Sequence, residues 1–165
     1  MYTNTANMFQ PHTTTQLRDA VDNYYHRGDR SYGPIGTWDT SKITDMSLLF
    51  FNMTEFNESI ADWNTSSVTN MINMFRGCTS FNQPLHTWNT SSVTDMSGMF
   101  ACCTSFNQPL HTWDTSSVTN MERMFYGCTS FVQPMGNWQA PVTVFAGCPD
   151  PEYCCKVVND HYCVK

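Results

Sequence analysis

Apolar residues along this chain recur on a fixed count. Trp38, Trp63, Trp88, Trp113 and Trp138 stand 25 residues apart. Ile43, Val68, Val93 and Val118 keep the same step, as do Met46, Met71, Met96 and Met121. Two phenylalanine columns follow: Phe50, Phe75, Phe100, Phe125, and Phe56, Phe81, Phe106, Phe131. Between the apolar columns the chain is Ser, Thr, Asn and Asp. A fixed period in this range marks a repeat architecture, in which each unit is too small to bury its own apolar face and must stack on its neighbours.

Within a unit the pattern predicts two elements. "FNQPLHTW" turns Phe, Leu and Trp inward around a proline, as an extended segment with a bend. In "SSVTNMERMFYGC" the apolar residues Val118, Met121, Met124, Phe125 and Cys128 fall at helical spacing, so a short helix or 3₁₀ turn is expected from Met121 to Phe125. The preceding Ser-Val-Thr alternates polar and apolar, as a strand does. The expected fold class is therefore an α/β repeat: a solenoid with one short parallel strand and one short helix per unit.

The ends differ from the array. After a polar lead-in at residues 1–12, "TTTQLRDAVDNYY" sets Leu17, Ala20, Val21 and Tyr24 on one helical face behind a hydroxyl N-cap. "HRGDRSYGPIG" closes that helix with glycine and proline. A helix of this kind is a common cover for the first unit of a repeat stack. The tripeptide Arg27-Gly28-Asp29 is short enough to arise by chance. The fifth unit is truncated, since Cys148 follows Trp138 by 10 residues whereas Cys128 follows Trp113 by 15. The expected organisation is residues 1–37 as lead-in and capping helix, 38–137 as four repeats, and 138–165 as a truncated repeat with a Cys-containing cap.

Composition narrows the function classes. The 165 residues carry a formal net charge of −6, and only 13% are charged. The eight Lys and Arg are scattered and form no basic stripe, so nucleic acid is not an expected partner. No apolar run approaches the ~20 residues that cross a bilayer. "MYTNTANMFQPHTTT" has neither a basic start nor an apolar segment, so no secretory signal is expected there.

The eight cysteines form two groups. Cys78, Cys103 and Cys128 repeat with the array, and Cys148 imitates them. Neighbouring parallel rungs stand ~4.8 Å apart, but side chains in one column point the same way, which leaves their Cβ atoms poorly placed for bonding. The column is expected to hold buried free thiols. Cys102, Cys154, Cys155 and Cys163 lie off the pattern. The last three suit a cap with one or two disulfides, and a zinc site of Cys154, Cys155, Cys163 and His161 matches no common finger spacing.

Candidate chemistry is sparse. There is no nucleophile elbow, zinc-protease motif or phosphate loop, and no catalytic residue, cofactor or metal site is expected. His86 and His111 share one repeat position and are expected at the surface. The columns Asp39, Asn64, Asn89, Asp114 and Asp45, Asn70, Asp95, Asn120 could suggest calcium, but half their members are amides, and calcium wants clustered carboxylates. Capping of the following turn accounts for them better. Asn57, Asn82 and Asn107 form a ladder suited to satisfying backbone groups between rungs. Ser67, Ser92 and Ser117 pair with Thr69, Thr94 and Thr119 as an outward hydroxyl grid, interrupted by Lys42. Such grids resemble those of ice-binding proteins. Asn52, Asn57, Asn64 and Asn89 begin glycosylation sequons, a weak signal in so Ser/Thr-rich a chain.

"WDTSSVTNMERMFYGCTSF" resembles the repeat of the BspA-like leucine-rich-repeat surface-protein family, and the likeness extends over residues 32–148. It implies a right-handed solenoid and a non-enzymatic module for protein interaction or surface attachment, found at a cell surface or in a virion. The family has bacterial, protist and giant-virus members. The chain differs from its bacterial lipoproteins in showing no signal, lipidation cysteine or wall anchor. Two readings follow: an adhesion module binding protein or glycan through an exposed repeat face (His86, His111, Ser92, Thr94, Ser117, Thr119), or a structural component of a larger assembly such as a giant-virus capsid, held to neighbouring subunits. Ice or glycan binding through the Ser/Thr grid is a third.

Overall fold

In the computed structural model, residues 8–136 and Trp138 are described. One α-helix, α1 (Thr14–Arg27), opens the chain. The Thr13 side chain accepts the amide of Gln16, and the helix ends at Gly28 in the left-handed region, φ 66°. Leu17, Ala20, Val21 and Tyr24 are its buried face. A 3₁₀ turn, Ile35–Thr37, then leads into stacked units.

The units are built of turns. In the stretch Met46–Asn52, alternate amides donate to the next unit: Met46 to the Asn70 carbonyl, Leu48 to Ile72, Phe50 to Met74 and Asn52 to Arg76, at 2.8–2.9 Å. The amides between them close three-residue turns, Leu49 to Met46 and Phe51 to Leu48. The same double pattern recurs at residues 71–77 and 96–102. It requires a left-handed residue twice per unit. Leu48, Asn73, Gly98 and Arg123 form one such column, with φ between 52° and 62°. Asn52, Gly77, Cys102 and Gly127 form the second, with φ between 58° and 79°.

This overturns the expected α/β solenoid with short parallel strands and short helices. Among the described residues there is one α-helix and no strand. The parallel pairing is confined to isolated bridges Asp45–Asn70, Asn70–Asp95 and Asp95–Asn120. The segment Met121–Phe125 has the apolar spacing of a helix, but Arg123 at φ 57° breaks it, because a helix tolerates no left-handed residue in its interior. Ser-Val-Thr is no strand either, since the Val68 and Val93 amides turn back to Thr65 and Thr90. The expected Cys-containing cap, with the zinc reading at Cys154, Cys155, Cys163 and His161, lies outside the described residues.

The core is a set of stacked rings. Phe50, Phe75, Phe100 and Phe125 lie face to face at 5.4–5.6 Å. Phe56, Phe81, Phe106 and Phe131 follow at 5.7–5.9 Å. No two neighbours in these columns are tilted by more than 9°. Successive units thus keep their ring planes nearly parallel, and the rings of one column stack on one another.

α1 stands in for a missing unit. In the array, the Asn70 and Asp95 carbonyls accept amides from the preceding unit. At the first unit, Asp45 instead accepts the Thr14 hydroxyl, and Ser47 accepts an Arg18 guanidinium N–H at 2.6 Å. Likewise Glu55 donates its amide to the Tyr25 hydroxyl, where Ser80 and Ser105 donate to carbonyls. Edge groups that would otherwise lack partners are satisfied by side chains of the helix.

Candidate functional site

Between the buried tryptophan and methionine columns, each unit presents the sequence Asx-Thr-Ser-Ser-Val-Thr-Asx, with one Lys and one Ile substitution in the first. The first Thr faces inward. Thr40, Thr65, Thr90 and Thr115 are buried, and the first three donate their hydroxyls to the carbonyls of Asn64, Asn89 and Asp114 at 2.9 Å. Their polarity hid them from a search for apolar columns, although the period itself marked the position.

The following Ser and the second Thr face solvent. Ser92 and Ser117 are exposed, and donate to the carbonyls of Ser66 and Ser91 at 3.1 and 2.7 Å. Thr94 and Thr119 are exposed, and donate to Thr69 and Thr94 at 3.1 Å. Ser67 and Thr69 do the same one unit earlier. A hydroxyl has one proton and two lone pairs, so each of these groups has its proton committed to the backbone below and turns lone pairs outward. Their shared partners also hold the side chains in one orientation along the stack.

The Asx columns make the turns on either side. Asp39, Asn64, Asn89 and Asp114 each accept the amide two residues on, from Ser41, Ser66, Ser91 and Ser116. Asp45, Asn70, Asp95 and Asn120 do likewise with Ser47, Ile72, Ser97 and Glu122. These are Asx turns, in which carboxylate and amide supply the same acceptor. The Ser41 and Ser116 amides hold the carboxyls of Asp39 and Asp114 below the usual range, with the serine hydroxyls adding to the effect. Among the described residues no group of three or more His, Cys, Asp and Glu converges as a metal site would need. Asn57, Asn82 and Asn107 accept the amides of Asn82, Asn107 and Val132 in the next unit.

His86 and His111 are exposed, on the segment that precedes each tryptophan. In the chain they precede the Trp column, whereas the Ser/Thr strip follows it. Trp38, Trp63, Trp88 and Trp113 are buried and Trp138 is partly buried. The indoles of Trp63, Trp88 and Trp113 donate to the carbonyls of Ile35, Ile60 and Leu85 at 2.8–3.1 Å, fastening each unit to the one before it.

Cys78, Cys102, Cys103 and Cys128 are free. Cys78, Cys103 and Cys128 are buried, and their thiols donate to the carbonyls of Phe50, Phe75 and Cys103 at 2.8–3.0 Å. Burial pushes Cys78 up to about 12 and raises Cys103 and Cys128 as well. Thiolate, the reactive form, is therefore suppressed. Native-state alkylation followed by mass spectrometry should label the half-exposed Cys102 first among these four. Fast labelling of the other three would mean that the column opens to solvent.

The sequence profile of a family described as "Mycoplasma protein of unknown function, DUF285" matches residues 3–138. Neither the curated proteins nor the solved structures gave a match. Among the described residues no helix is long and apolar enough to cross a membrane.

Proposed function

The chain belongs to the DUF285 family, and from that premise we propose that it is a non-enzymatic binding module of the BspA-like kind, working through its exposed Ser/Thr/Asx strip. The observation that carries this reading is the repetition of one hydroxyl geometry over successive units, each member held by the backbone of the unit before it. A surface whose side chains are already ordered loses little conformational entropy when a partner docks on it. The interior offers nothing comparable, because its apolar side chains are spent on packing between units. The partner is a protein, as part of attachment at a surface or of a larger assembly.

Contact spread over several units predicts a graded response. Deleting residues 88–112 removes one unit and brings Leu85 and His86 up to Trp113 with the period intact. The shortened chain should fold and lose much more binding than His86→Ala or His111→Ala, each of which removes one side chain and should weaken it only modestly. Chemical cross-linking in the native source, mapped by mass spectrometry, is the direct check. Cross-links that avoid the strip altogether, or a hydrolytic activity abolished by one His substitution, would end the reading.

A further inference from the structure

We propose that the strip on the third and fourth units, centred on Ser92, Thr94, Asp95, Asp114, Ser117 and Thr119, binds a basic peptide segment rich in Lys or Arg. This rests on the reading of the strip as the contact face, and names the chemistry of what it contacts.

The argument begins with proton accounting. The hydroxyls of Ser92, Thr94, Ser117 and Thr119 all donate to main-chain carbonyls of the preceding unit. What they turn to solvent is acceptor only. Asp95 and Asp114 add carboxylates on either side of the hydroxyl columns, and each keeps an Asx bond through Oδ1 alone. Asp95 spends its second oxygen on the Asn120 amide, which presents it at a fixed place. No Lys or Arg occurs at residues 89–95 or 114–120. The strip's one cation, Lys42, is in the first unit. The side-chain amides of Asn89 and Asn120 are the donors on these segments, the hydroxyl and carboxylate acceptors outnumber them, and no cation answers the two carboxylates. An ammonium or guanidinium group supplies protons and positive charge together.

The same accounting weighs against other occupants. A second copy docking through this strip would set carboxylates against carboxylates and bring no cation to either. A neutral glycan binds best where donors and acceptors alternate beside an aromatic platform, and the exposed aromatics Tyr32, Phe51 and Tyr126 lie off these seven-residue segments. Equivalent hydroxyls of the two units bond to the preceding unit in the same way, so the acceptors recur from unit to unit and an extended chain can meet several of them at once.

Fluorescence anisotropy with a labelled hexalysine peptide tests the assignment, with hexaglutamate as the control. The full chain should bind hexalysine and not hexaglutamate. Asp114→Asn should weaken binding roughly twofold to fivefold, the size of one exposed charge pair. It keeps the Asx turn, as Asn64 and Asn89 do in the same column. Asp19→Asn removes the same charge from an exposed position of α1 and should leave binding unchanged. Thr94→Val with Thr119→Val should weaken binding further, and Thr94→Ser with Thr119→Ser should restore it, which separates lost acceptors from lost folding. Equal losses for Asp114→Asn and Asp19→Asn would mean that overall charge alone attracts the peptide, and would overturn the proposal. Absence of hexalysine binding would overturn it too. If native cross-links still map to the strip in that case, the contact reading survives and only the partner's chemistry is wrong.

Discussion

Trp88→Ala is expected to lower unfolding stability by about 3–5 kcal/mol, the range for deleting a buried large aromatic. Trp88 is 3% exposed in the middle of the stack. Its ring lies parallel to Trp113 at 6.3 Å and against Phe75 at 6.1 Å. The indole N–H also donates to the Ile60 carbonyl at 3.1 Å, which accepts the Trp63 amide as well, so the substitution opens a cavity and removes one of the two bonds to that carbonyl. Because each unit touches mainly its neighbours, the loss falls on both of the interfaces Trp88 shares. Urea melts of the full chain measure it. A loss below about 1 kcal/mol would place the indole at the surface and undo the packing described for the column.

Gly98→Ala comes next, at about 1–3 kcal/mol of destabilisation, from the left-handed backbone and from crowding. Gly98 sits at φ 62°, and a Cβ there would run into Oδ1 of Asn73 in the preceding unit. The side-chain tip can move, but the backbone cannot, since the Gly98 amide is bonded to the Glu122 carbonyl. The opposite change in the same column should help. Arg123 holds φ 57°, so Arg123→Gly should gain about 0.5–1 kcal/mol, the left-handed cost less glycine's greater freedom when unfolded. The pair of urea melts decides it: a neutral Gly98→Ala, or a destabilising Arg123→Gly, would mean that the turn conformation is not what holds this column.

Those left-handed columns also mark where sequence reasoning stopped short. Gly98 and Asn73 in one column, and Asn52, Gly77 and Gly127 in the other, are the residues that tolerate positive φ. Read together they signal a turn twice per unit. Leu48, Cys102 and Arg123 masked that signal, and the three-residue spacing of Val118, Met121 and Met124 imitated a helix. The buried threonines were missed for a different reason. Thr65 and Thr90 are polar in every local window, and only a partner 24 residues away makes their burial tolerable.

The period, the inward columns, the capping helix and the Asx turns followed from sequence by itself, because each depends on residue identity at a repeated place or on bonds within a few residues. The conformation of each unit was decided by the tertiary structure. Amides at Phe50, Phe75 and Phe100 could bond four residues back in a helix, or to the carbonyls of Met74, Met99 and Met124 in the next unit. They take the second course because stacking the rings buries an entire column at once, a gain no isolated unit can make. The direction of the strip hydroxyls was decided in the same way. A lone Ser-Val-Thr segment leaves its protons free, and it takes the carbonyls of a neighbouring unit to turn them inward and leave the hydroxyl lone pairs outside.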